Sequence, residues 1–130
     1  MSENGTTGGE NRRTHRRFGM SMQVQQVGHR HVDRVSDVSL GGLFMRTTEP
    51  RKQGGCVPLR LVHPMTGEVI AAVCQVVHQV YSAQGEFLGL GLRFANADSL
   101  LGERIRELIH DVTGDDPGPL SGEHTYEIDP

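Results

Sequence analysis

From Phe18 to Val27 apolar and polar positions alternate, with Met20, Met22 and Val24 on one side and Ser21, Gln23 and Gln25 on the other. A period of two is the mark of a strand with one buried face. Gly28-His29 reads as a turn, and Arg30 to Ser36 as a returning strand. Gly41-Gly42 interrupts that run, and Leu43 to Arg46 begins another. Glu49 to Gly55 is dense in turn formers and predicts a loop. Val57, Leu59 and Leu61 alternate again before a turn at His63 to Gly67. Glu68 to Tyr81 is long, β-branched and apolar on both faces as far as Ala72. Such a run predicts a bent or bulged strand passing a barrel corner. After Ser82 to Gly85, the stretch Phe87 to Phe94 sets Leu88, Leu90, Leu92 and Phe94 on one face. Gly89 and Gly91 take the other face, where bare backbone invites close packing by another element.

Helical spacing appears only afterwards. Asp98 or Ser99 can cap a helix whose stripe is Leu101, Ile105, Leu108 and Val112, with Gly114 just beyond as a stop. Antiparallel strands followed by one amphipathic helix, without βαβ alternation, predict a mainly β fold: a small closed or nearly closed barrel with a C-terminal α-helix. A parallel nucleotide-binding sheet is excluded on the same ground.

Composition trims this body at both ends. Residues 1–11 lack any branched aliphatic side chain, and residues 113–130 carry acids, Gly and Pro but no Lys or Arg. Both read as flexible tails, which accounts for an apolar fraction of only 35% in a chain of 130 residues. What remains is one domain of about 100 residues. No apolar run approaches the ~20 residues of a membrane-spanning helix. The N-terminus lacks the layout of a secretion signal. A cytoplasmic protein is expected, with Cys56 and Cys74, both inside strand-like runs, as buried free thiols.

Charge is uneven. The net value is −3, yet four of the thirteen basic residues fall within Arg12-Arg13-Thr14-His15-Arg16-Arg17. A short cationic cluster on a mildly acidic body suits a small anionic ligand; a DNA duplex binder spreads basic charge over a face. Arginine forks match phosphate oxygens, stack on purines and bond the N7 and O6 edge of guanine. Read alone, however, the cluster is equally a solvated basic linker. The same holds for Asp37-Val38-Ser39-Leu40-Gly41-Gly42. Asp37 and Ser39 share a face of an extended chain, and Gly42 permits a turn or a positive φ. An ordinary strand exit has that composition too.

The remaining polar residues suggest little. His29 and His31 are two apart, but no third ligand has a recognisable spacing, so no metal is expected. His63 and His78 are isolated and read as exposed turn residues. Asp37, Ser39 and His15 contain the types of a hydrolytic triad, but nothing marks a nucleophile elbow or an oxyanion hole, so no catalytic residue and no enzyme is expected.

Taken together and in this order, the two pieces resemble the signature of the PilZ family, the bacterial receptor module for cyclic di-GMP. Its pattern is Arg-x-x-x-Arg near the domain start, then Asp/Asn-x-Ser-x-x-Gly. Arg13 and Arg17 supply the first part, with Arg12 completing a double arginine; Asp37, Ser39 and Gly42 supply the second. Gly89-Leu90-Gly91-Leu92-Arg93-Phe94 is similar to the family's late strand. The resemblance covers about residues 10–112 and divides the chain into a tail (1–11), a PilZ domain (12–112, with the arginine arm at 12–17 and the helix at 98–112) and an acidic tail (113–130).

That resemblance implies a six-stranded antiparallel barrel and a cyclic di-GMP site on its outer wall. Arg13 and Arg17, aided by Arg12, would hold phosphates and guanines; Asp37 and Ser39 would address one guanine, and Gly42 would let backbone come close. Arg12 and Arg16 form a second register of equal spacing, which leaves the register open and makes Arg16 a helper. The implied ligand is cyclic di-GMP with no cofactor, in a monomer or weak dimer that regulates an unidentified protein partner in motility, polysaccharide or a related output. The alternative within the family is an interaction adaptor that binds no nucleotide.

Overall fold

The structure, a computed structural model, describes residues 15–95 and 98–118. Arg12 and Arg13 lie outside the described residues, as do residues 1–11 and the chain beyond 118. Six strands, β1 (Phe18–Gln26), β2 (Asp33–Val38), β3 (Gly42–Arg46), β4 (Cys56–Val62), β5 (Val69–Tyr81) and β6 (Phe87–Phe94), precede the helix α1 (Ser99–Thr113). The strands form a closed barrel in the order β1-β2-β3-β6-β5-β4, antiparallel at every pairing.

The alternation seen in the sequence fills the barrel. Met20, Met22 and Val24 of β1 meet Val35 and Val38 of β2, Leu43 and Met45 of β3, and Leu90, Leu92 and Phe94 of β6 in a single core. Leu59, Leu61, Ile70, Cys74 and Val76 complete it from β4 and β5. The predicted irregularity in the long strand is present: against β6 the register of β5 shifts between Val76 and His78 and again between Val80 and Tyr81.

Three expectations need correction. The second strand begins at Asp33, not Arg30. The Gln25 amide donates to the carbonyls of His29 (2.7 Å) and Arg30 (3.4 Å), and His29 N donates to Gln26 O at 3.0 Å. Those bonds hold the backbone in a turn for longer. Cys56 is exposed, whereas Cys74 is buried; Cys56 opens β4 on the outward-facing side of its alternation. His63, expected to be an exposed turn residue, is only 3% exposed. Its Nδ1 accepts from the Met65 and Thr66 amides, which leaves Nε2–H to donate to Asp111 Oδ2 at 2.9 Å. One side chain thus braces the β4–β5 turn and pins α1 to it.

The helix is built as its sequence suggests. Asp98 accepts from Leu101 N at 2.8 Å, and Gly114 ends the helix in the left-handed region at φ 79. Leu101, Ile105, Leu108 and Ile109 are buried, with Val112 packed beside them. Beyond the helix, Arg106 bonds the Asp116 carboxylate and the Gly118 carbonyl. The Gly118 amide, with Arg106 second, holds the Asp116 carboxyl below its ordinary value. No helix among the described residues is long and apolar enough to cross a membrane.

Candidate functional site

Arg17 stands immediately before β1, and β1 pairs Phe18 with Val38 and Gly19 with Asp37. This register brings the start of the chain's first strand against the exit of its second. Arg17 donates from both Nε (3.1 Å) and Nη2 (2.8 Å) to Asp37 Oδ1. Val38 points into the core, and Asp37 and Ser39 on either side of it are half-buried on the outer wall, as a period of two requires.

The Ser39–Gly42 segment is a tight turn closed by Ser39 N donating to Gly42 O at 2.8 Å. Ser39 Oγ accepts from the amides of Gly41 (3.1 Å) and Gly42 (3.2 Å). The hydroxyl therefore fixes the turn that carries it. Gly42 is required for a different reason than the sequence suggested: it has no positive φ. A Cβ there would stand 2.1 Å from Leu92 O and 2.9 Å from Arg93 Cα, so the backbone that approaches Gly42 belongs to β6. The imidazole of His15 covers the neighbouring Gly41.

Arg17, Ser39, Gly41 and Gly42 line a shallow cavity of about 160 Å³, together with His78 and Gly91. These last two were not singled out as site residues. The register shift after Val76 turns His78 outward, and its ring lies so close over Gly91 that a Cβ there would meet Nε2 at 2.6 Å. The glycine on the outer face of β6 was the available signal; which ring covered it depended on the bulge. Arg16 points elsewhere. Its guanidinium lies 4.6 Å over the Phe18 ring and 3.5 Å from Asp115 Oδ2. Consecutive residues of an extended chain face opposite ways, and of the two it is Arg17 that reaches the cavity.

The family model for the PilZ domain matches residues 10–111. The chain belongs to the PilZ family. PilZ domains are ligand-binding and adaptor modules, not enzymes. Among solved structures, the chain is similar to the PilZ domain of YcgR from Escherichia coli with c-di-GMP, at TM-score 0.58 and 19% identity, covering 78% of this chain and 91% of that one. It is also similar to the inhibitor of motility MotI/DgrA from Bacillus subtilis (TM-score 0.65, 15% identity, 77% of this chain) and to YcgR in complex with c-di-GMP (0.63, 17%, 77%). Of those two longer chains it spans 50% and 45%. At such identities the likeness establishes the shared barrel. No curated protein matches this PilZ chain in sequence.

Proposed function

We propose that this PilZ domain is a receptor for cyclic di-GMP that changes conformation on binding and thereby regulates a protein partner. The observation that carries the reading is the Arg17–Asp37 fork at the cavity formed by Ser39, Gly42, His78 and Gly91. A guanidinium and a carboxylate side by side are what a guanine needs: the carboxylate accepts from its N–H groups, and the arginine bonds its N7 and O6 or a phosphate. In this structure the two satisfy each other. Ligand binding exchanges that internal pair for two intermolecular ones, while the Ser39 turn keeps Asp37 in place.

The cavity accepts one part of the ligand, so the rest must be covered by residues arriving from outside it. Arg12 and Arg13, six and five positions before Phe18 at the start of β1, have the charge for this. Exchange of the Arg17–Asp37 pair for contacts with the nucleotide, joined by Arg12 and Arg13, is the proposed conformational signal. The YcgR structures with c-di-GMP and the motility inhibitor are likenesses that support the class of ligand and of output.

Calorimetry with cyclic di-GMP tests the reading. Native protein is expected to bind saturably, and Arg17→Ala, Asp37→Ala and Arg13→Ala each to weaken binding by roughly tenfold or more, as loss of a charge-assisted bond implies. His78→Ala is expected to weaken it less, since it removes a ring contact and no charge. Absence of heat from the native protein would overturn the proposal in favour of an adaptor that binds no nucleotide.

A further inference from the structure

The other end of the β1–β2 hairpin carries a second polar cluster. His29 and His31 lie in the turn between β1 and β2, and Glu49 lies in the loop after β3. Spacing along the chain offered the two histidines no third ligand. Folding supplies one: a donor atom from each of His29, His31 and Glu49 falls within 4.8 Å of the others. His29 Nδ1 is 3.5 Å from Glu49 Oε1, and the two imidazoles meet edge to face with centroids 5.7 Å apart.

We propose that His29, His31 and Glu49 bind a divalent transition-metal ion of the zinc type. Two imidazoles and one carboxylate form a donor set suited to zinc, nickel or copper(II), and three protein ligands leave coordination positions for water. The surroundings resemble those of a built site in two respects. His31 Nε2 stands 3.6 Å from Asp33 Oδ2, and Asp33 is buried and accepts from the Gln26 amide at 3.2 Å. A carboxylate that accepts the outer N–H of a ligating histidine orients its ring, and Asp33 stands just beyond that distance. The two loops are also held before any ion arrives. Gln25 bonds the His29 carbonyl at 2.7 Å, the Gln79 amide donates to Arg51 O at 2.7 Å, and Glu49 N donates to Thr47 Oγ1 at 3.3 Å. Preorganised ligands lose little entropy on binding.

Arg51 is the competing occupant. Its Nη2 bonds Gln26 Oε1, lies 2.8 Å from His29 Nε2 and is 3.9 Å from Glu49 Oε1. A cation is therefore already seated beside His29 Nε2 and Glu49, and its charge competes with that of a metal ion. Arg51 is held there through Nη2, but its Nε is the one buried side-chain polar atom among the described residues without a hydrogen-bond partner. Displacing a guanidinium with one donor unmet costs less than displacing a fully bonded one.

Titration of the untagged full chain with Zn²⁺, followed by calorimetry and by the visible absorption of Co²⁺ in its place, decides the matter. One ion per chain is expected. His31→Ala and Glu49→Gln, both at exposed or half-exposed positions, are each expected to weaken binding at least tenfold, Arg51→Met to tighten it, and His110→Ala on the far helix to leave it unchanged. The absence of saturable binding would overturn the proposal. So would binding that survives both His31→Ala and Glu49→Gln, or that disappears in His110→Ala. The nucleotide reading is unaffected by either result, because none of these residues lines the Arg17 cavity.

Discussion

Arg17 and Asp37 are joined across the β1–β2 pair by two hydrogen bonds that end on a single oxygen, Oδ1. With side chains 40% and 28% exposed, such a pair stabilises the fold by no more than about 1 kcal/mol. It is a holding arrangement that a better partner can replace. Asp37→Asn keeps the shape and one acceptor but removes the charge. The expected outcome is a melting temperature lowered by less than about 5 °C and an affinity for cyclic di-GMP lowered by roughly tenfold or more. Thermal unfolding and calorimetry on the same preparation check it. A large loss of stability with affinity intact would mean that the pair serves the fold.

Gly41 and Gly42 are adjacent, and they are expected to respond differently to the same change. At Gly42 a methyl group meets the β6 backbone, at Leu92 O and Arg93 Cα, which cannot withdraw without breaking the barrel. At Gly41 it meets the edge of the His15 ring, a side chain and not a strand of the barrel. Gly42→Ala is expected to destabilise by about 3 kcal/mol or more, and Gly41→Ala by less than about 1 kcal/mol. Urea unfolding of both variants measures the difference; equal losses would contradict the steric account.

The two cysteines are expected to differ in reactivity. Burial, and secondarily the nearby Cys56, pushes the Cys74 thiol from 9.0 up to about 12. Iodoacetamide should modify exposed Cys56 in the native protein and reach Cys74 only after unfolding. The same shift sets a sign for alkaline stability. Between pH 9 and 12 the native thiol keeps its proton while the unfolded one loses it, so the unfolded chain binds fewer protons and stability falls as pH rises. The contribution is fully present below pH 9 and declines by about 1.4 kcal/mol per pH unit above it. Unfolding from pH 8 to 10.5 should be steeper in pH for the native chain than for Cys74→Ala; parallel curves would contradict the assignment.

Much of the barrel was legible because its inner positions are apolar at a period of two, as in Met20-x-Met22-x-Val24, and because α1 carries Asp98 and Gly114 at its ends. What escaped depended on contacts across the fold. The start of β2 was misplaced since Gln25, a side chain on another strand, holds the His29 and Arg30 carbonyls in the turn. Gly42 was read as a position for a turn or a positive φ because nothing local announces that β6 lies alongside it. His78 looked isolated, and its place over Gly91 follows from a bulge whose position no periodicity specifies. His63 looked like a surface turn residue, yet it is buried and bonded to Asp111, far along the chain. Glu49 joins His29 and His31 only once β3 has run back beside β2.

The ring β1-β2-β3-β6-β5-β4 returns to its own start through the pairing of Gln23–Gln26 with Leu59–Val62. A sheet closed on itself has no terminal strand, so another chain has no place to extend it by main-chain pairing. Recognition by a partner must then be written in side chains and in segments outside the sheet. The closed barrel is instead a rigid wall that presents the Arg17–Asp37 pair and the Ser39 turn at its surface.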